Sequence, residues 1–180
     1  ITRKGVTHIK DDFNPRRKDR NVVIKPYFEE RVTMLYYYPG MSPDVLDAMT
    51  DLGYRGIVIV GTGLGHVNKE LYPAIERAHK KGVHMYMTVQ TIWGYVHMFV
   101  YDTGRDMMAK GIIPSGNMLP ETAFIKLSWV LGQTDDPVEV KRLMLTPINF
   151  EITEREPYNG YLVYQGGVPE VEEFIKKVHK

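Results

Sequence analysis

The sequence predicts an α/β fold, an open parallel sheet with helices packed against it, on three observations. Apolar runs of strand length, Val32–Tyr38, Ile57–Val60 and Val83–Val89, alternate with segments long enough for helices of about 10 residues. The runs are nearly continuous rather than alternating, which suits strands covered on both faces. The intervening segments carry apolar residues at helical spacing and stop at Gly53 and Gly82. Strands joined in this way take right-handed crossovers.

Each element has its own local signals. Ile1–Lys10 alternates loosely around Lys4-Gly5, as a small hairpin does. Asp11–Lys25 is polar and holds Asn14-Pro15 and the cluster Arg16-Arg17-Lys18-Asp19-Arg20, with no aromatic residue interleaved for base stacking, so it reads as a solvated connector. Val32–Tyr38 ends at Pro39-Gly40. Ser42 then caps a helix with Pro43 in its first position and Val45, Leu46, Met49 and Leu52 on one face. After Ile57–Val60, Asn68 is the expected cap of a second helix with Leu71, Ala74, Ile75 and Ala78 as its buried stripe. Val83–Val89 follows, and a short apolar edge strand is expected from Ile112.

Glu121–Leu131 reads as a helix burying Ala123, Phe124, Leu127, Val130 and Leu131. Asp136-Pro137-Val138-Glu139 resembles a capping box and opens a last helix with Val140, Leu143 and Met144 facing inward. Trp93, Trp129 and the methionines fall on apolar stripes and are expected in the core. Beyond Ile152 the composition turns polar. Tyr161–Tyr164 and a terminal helix carrying Val171, Phe174, Ile175 and Val178 close the chain.

Composition narrows the function classes. A length of 180 residues allows a domain with a substantial core, and a net charge of +1 gives no global case for nucleic-acid or membrane binding. The absence of cysteine removes disulfides and thiolate catalysis, and it agrees with an intracellular, cytoplasmic protein. No apolar run approaches the roughly 18 residues of a membrane span. The first residues lack both a signal-peptide segment and an initiator Met, so a fragment or processed chain is expected.

The chemistry concentrates after Ile57–Val60, in Gly61-Thr62-Gly63-Leu64-Gly65-His66. A strand, a glycine-punctuated turn and a polar helix entry lie at the carboxyl end of a parallel sheet, where backbone amides can face an anionic group. The alternative is that the glycines only let the chain turn tightly. The spacing is not G-x-G-x-x-G, and about 20 residues further on the uncharged Thr88-Val89-Gln90 stands where a dinucleotide fold needs an acid. The six histidines show no helical pairing for a metal, and none of Ser42, Ser115 and Ser128 lies in G-x-S-x-G.

Taken in order, Gly61–His66, Gln90–Gly94, Val100–Arg105, Gly111–Pro114, Met118–Ala123, Lys126-Leu127, Trp129–Pro137 and Leu143–Thr146 resemble the C-terminal half of the D subunits of archaeal glutamyl-tRNA(Gln) amidotransferases, within the L-asparaginase/glutaminase family. The resemblance runs from about Arg31 to Thr153. It implies a three-layer, Rossmann-like C-terminal domain over residues 32–152. Residues 1–31 would then be a hairpin and connector from a catalytic N-terminal domain, and residues 153–180 an extension with a helix.

The resemblance also divides the chemistry. Amide hydrolysis by a threonine needs a base and oxyanion donors; in this family the N-terminal domain supplies them, through a T-G-G-T turn and a second threonine with an aspartate and a distant lysine. The chain has neither T-G-G-T nor H-G-T-D, so no catalytic residue is expected in it, and alone it should be inactive. Thr62 belongs to a C-terminal-domain motif and is expected to be structural.

For this half the family implies assistance. The active site lies between the N-terminal domain of one subunit and the C-terminal domain of its dimer mate, so Gly63 and His66 are the implied substrate-binding residues. His66 stands where bacterial asparaginases carry a substrate-binding Asn; a merely local bond is the alternative. Gln90 and Thr91 mark the region that forms an allosteric amino-acid site in some bacterial relatives. Thr91 replaces the usual Cys, Tyr95 the usual Arg and His97 the usual Asn, so that chemistry is changed here.

The full protein would release ammonia from glutamine. Its partner in the amidotransferase, the E subunit, would use that ammonia, with ATP and Mg, to convert Glu-tRNA(Gln) to Gln-tRNA(Gln). A homodimer, tRNA(Gln) reached through the complex, no membrane, and no cofactor or metal in this chain complete the expectation. The alternatives are the C-terminal domain of a plain L-asparaginase and a non-catalytic dimerisation or ligand-binding module.

Overall fold

Four short apolar segments pair in parallel: β1 (Val32–Tyr36), β2 (Gly56–Gly61), β3 (His84–Val89) and β4 (Ile112–Pro114) lie side by side in sequence order. Val32 stands opposite Gly56, Gly56 opposite His84 and Met85 opposite Ile112. The computed structural model describes residues 18–19, 21–92, 94–154 and 176–177, of which 21–154 form one compact unit. The expected hairpin over residues 1–10, most of the basic cluster, Trp93, Tyr161–Tyr164 and most of the terminal helix lie outside the described residues; Lys176 and Lys177 are helical and exposed.

The sequential strand order has a geometric consequence. Right-handed crossovers that always step the same way place every connecting helix on one face. Those helices are α1 (Pro43–Asp51), α2 (Tyr72–Lys80) and α3 (Asp102–Ala109), and their buried side chains join Ile57, Ile59, Met85 and Met87 in one core. The opposite face is covered by α4 (Pro120–Leu131) and α5 (Pro137–Leu145), which pack on Val58 and Tyr86. Three layers result.

The caps explain where the helices start. Ser42 Oγ accepts from the Asp44 N–H at 3.2 Å ahead of Pro43, and a carboxylate oxygen of Asp136 accepts from the Val138 N–H at 3.1 Å ahead of Pro137. Gly56 lets α4 come close, since a Cβ there would meet Leu127 Cδ2 at 2.8 Å. Phe124 and Leu143, expected inside, are half-buried, and so is Trp129.

Helix α3 is a correction: residues 101–110 give no helical stripe in the sequence reading, yet Asp102–Ala109 is helical. It carries a glycine at Gly104, where a Cβ would meet the Met98 carbonyl oxygen at 2.2 Å, so the low-propensity residue is required by packing. Residues 25–29 differ as well. They run extended across α4, with Glu29 N–H donating to Ser128 O at 2.8 Å, Trp129 Nε1 to Lys25 O at 3.1 Å and Gln133 Nε2 to Tyr27 O at 2.7 Å.

A buried ion pair closes the end of the unit. Lys126 Nζ on α4 donates to Glu151 Oε1 at 2.5 Å and to Thr146 O at 2.7 Å, and the Glu151 carboxylate accepts from the Ile148 and Asn149 N–H groups. Burial pulls the Glu151 carboxyl upward, but Lys126 and these amides outweigh it and hold it at about 2, against an ordinary 4.5. A depressed native value stabilises the fold above the ordinary carboxylate range, and that contribution is lost as pH falls toward 2. Glu151→Gln should therefore cost about 3 kcal/mol at pH 7, because it strands a buried ammonium. It should also flatten the acid limb below pH 4.5, as urea unfolding followed across pH would report; a variant with the wild-type acid limb would disprove the assignment.

Candidate functional site

Parallel strands deliver all their outgoing loops to one end of the sheet, and the glycine loop lies there. It is closed on itself. Thr62 and His66 form an antiparallel bridge: the Thr62 N–H donates to His66 O, and the Gly65 and His66 N–H groups donate to Thr62 O, each at 3.0 Å. Thr62 Oγ1 donates to His66 O at 3.2 Å, which commits the hydroxyl to the loop.

Two of the glycines are demanded by space. A Cβ on Gly61 would meet His66 N and Met87 Sδ, both at 2.8 Å, and one on Gly65, at φ +92°, would meet Met87 Cγ and Val96 Cγ1 at 2.9 Å. Gly63, at φ +54°, has open space around it. The loop amides of Thr62, Gly65 and His66 are thus turned inward; among the described residues, those of Gly63 and Leu64 have no protein acceptor.

The expected helix entry directly after His66 is a second correction. Val67 and Asn68 intervene, and a 3-10 turn over Lys69–Leu71 precedes α2, with no side-chain cap bond from Asn68. The helix N-terminus therefore does not open onto the glycine loop, because Thr62 and His66 fold the loop back before the helix can begin.

His66 is half-buried and packs edge-on against Tyr101, with ring centroids 5.5 Å apart at 66°. Its Nε2 is sealed from solvent and has no partner among the described residues, whereas Nδ1 is neither sealed nor bonded. Burial holds the imidazole pKa below its ordinary 6.5, so the ring is neutral at pH 7. A neutral ring with an open Nδ1 offers one hydrogen bond to a ligand, as donor or acceptor by tautomer.

Gln90 has a different task. Its Nε2 donates to Tyr37 O at 2.5 Å and to Val60 O at 3.1 Å, and its N–H donates to Gly61 O at 3.1 Å, so this side chain ties the ends of β1 and β2 together. Thr91 is exposed, and its carbonyl accepts from the Gly94 N–H at 3.1 Å. The structure therefore brings Gln90 beside the glycine loop through Gly61, and it engages the amide that a ligand would otherwise use.

Large apolar side chains surround this end of the sheet in the open. Phe99 and Ile92 are each 71% exposed, and Tyr38, Val100 and Tyr101 are more than half exposed. Tyr95 stacks on His97 at 4.8 Å beside a cavity of about 560 Å³ that also touches Phe99, Gly116 and Ile152. A larger hollow, about 900 Å³, follows the β4 edge away from the glycine loop, lined mostly by apolar residues with His79, His84 and Lys141. Among the described residues no cluster of three or more His, Asp or Glu is placed to hold a metal, and no helix is long and apolar enough to cross a membrane.

Sequence reasoning missed the Tyr101 contact and the Gln90 tie. The first depends on the unrecognised α3, whose N-cap is Tyr101. A polar residue directly after a buried strand was the available signal for the second.

Comparison with known proteins agrees with this geometry. The family described as Glutaminase/Asparaginase C-terminal domain matches residues 31–144. The D subunit of the glutamyl-tRNA(Gln) amidotransferase of Thermococcus kodakarensis is 46% identical over 157 residues, 87% of this chain and 36% of that protein. The D subunit of the Thermofilum pendens enzyme is 45% identical over 141 residues, 78% of this chain and 31% of its own length. The chain thus spans about a third of these curated relatives. Among solved structures, the thermostable L-asparaginase from Thermococcus kodakarensis superposes with a TM-score of 0.71 at 31% identity, covering 78% of this chain and 43% of that one. L-asparaginase I from Vibrio cholerae gives 0.68 at 27% identity, covering 75% and 41%. On its sequence and its four-stranded parallel sheet alike, the chain belongs to the glutaminase/asparaginase C-terminal domain family.

Proposed function

We propose that this chain is the substrate-holding part of a glutaminase that supplies ammonia to a tRNA-dependent amidotransferase. The observation that carries this reading is His66: a neutral imidazole with an open Nδ1, on a self-closed loop at the carboxyl end of the sheet, inside a rim of exposed apolar side chains. Exposed apolar area of this kind marks a surface that another protein surface covers. The names of the relatives supply the reaction: glutamine would be hydrolysed and its ammonia passed on to make Gln-tRNA(Gln) from Glu-tRNA(Gln).

The nucleophilic threonine, its base and its oxyanion donors would come from a further domain, since none of their motifs occurs in these 180 residues. His66 and the Gly63–Leu64 amides would hold the amino-acid head group, His66 toward its carboxylate. A homodimer would bring this loop to its mate's catalytic domain. The amidotransferase's E subunit would carry out the ATP- and Mg-dependent step on tRNA in the cytoplasm. A plain L-asparaginase is the second reading, favoured by the 31% identity to a solved L-asparaginase.

Two outcomes test the proposal. The purified 180-residue chain should release no ammonia from Gln or Asn; release that disappears in Thr62→Ala would show a nucleophile here and overturn it. In a complete glutaminase carrying this domain, His66→Ala should raise KM for glutamine about tenfold, one hydrogen bond to a charged group, with a smaller change in kcat. A collapse of kcat at constant KM would assign His66 to the transition state, and two unchanged constants would leave it a local structural role.

A further inference from the structure

The sheet has two edges, and the chain treats them differently. β4 is three residues long and ends in Pro114, two of the devices by which proteins keep an edge from pairing. β1 has neither device. From Val32 to Pro43 the sequence carries no charge, and its first proline is Pro39.

The register says which main-chain groups β1 leaves open. Arg31 O accepts from the Arg55 and Gly56 N–H groups and Tyr37 N–H donates to Val60 O, so residues 31, 33, 35 and 37 turn their amides toward β2. Val32, Met34 and Tyr36 turn theirs outward, and among the described residues nothing bonds them. Thr33, Met34 and Leu35 are half-buried and Tyr36 is 47% exposed.

We infer that β1 pairs with β1 of a second copy, antiparallel about a twofold axis through Met34, joining two four-stranded sheets into one. The inference rests on the homodimer proposed above and names its contact. An uncharged strand meets itself without a like-charge pair, and antiparallel pairing about a twofold is self-complementary. In that register Met34 faces Met34, and Val32 faces Tyr36, a β-branched residue against an aromatic one. Each facing pair exchanges two N–H···O bonds, which satisfies all three outward residues.

The test uses the chain's own edge. Met34→Pro removes only an outward N–H, because Met34 donates nothing to β2, and edge positions of that kind accept proline. Sedimentation at tens of micromolar should show a dimer for the wild type and for Met34→Val. For Met34→Pro it should show a monomer, with a Kd weakened about 100-fold or more by the lost interstrand bonds. Met34→Cys, the only thiol in a chain without cysteine, should be joined into a covalent dimer by a short bismaleimide. A wild-type monomer would overturn both the homodimer and the edge. A dimer that survives Met34→Pro, with no covalent dimer from Met34→Cys, would overturn the edge and leave the homodimer standing. Should Met34→Pro fail to fold, the bismaleimide result decides alone.

Discussion

Everything in this domain depends on one constraint: four parallel strands are laid down in sequence order with crossovers of a single hand. That order sends α1, α2 and α3 to the same face, so the second face must be covered by chain that comes after β4. α4 and α5 meet that need, with Gly56 thinned to let Leu127 approach and with Lys126 buried to reach Glu151. The same order gathers the loops after β1, β2 and β3 at one end, where Gln90 ties the first two strands and His66 stands between them and Tyr101.

The glycine loop shows how a ligand-like motif divides its labour. Most of its amides are used to close the loop, and only the Gly63 and Leu64 amides at its tip have no protein partner among the described residues. A loop satisfied from within keeps its shape whether or not anything binds, so what it presents is preorganised. The imidazole of His66 shares that rigidity, with one face against Tyr101 and one nitrogen sealed.

Much of the fold was legible because the strong signals are local. Ser42-Pro43 and Asp136-Pro137 cap helices as their side chains require, and the Leu71, Ala74, Ile75 and Ala78 stripe is buried as its spacing demands. What escaped was decided by tertiary contacts. α3 has Gly104 in its first turns and a short stripe, and it is held by the close approach of Met98. The Lys126 and Glu151 pair joins residues 25 positions apart that no local pattern connects. At the site, the loop and His66 could be picked out from the glycines alone, whereas the inward-turned amides, the delayed start of α2 and the Gln90 tie follow from hydrogen bonds between separate strands. The family resemblance rests on residues of the described unit, and its reading of the flanks extends past it.

The segment over residues 25–29 is gripped by its carbonyls: Ser128, Trp129 and Gln133 all reach for main-chain oxygen, and Gly132 lies beneath Tyr27 O with no room for a Cβ. A hold of this kind is indifferent to the side chains of the strand being held. Lys25, Pro26, Tyr27 and Phe28 are thereby free to drift through evolution, adapting to whatever surface lies opposite, while the helix that grips them must stay constant. Variability would be permitted on the strap and forbidden on its clasp, which is the reverse of what exposure alone would lead one to expect of Trp129 and Gln133.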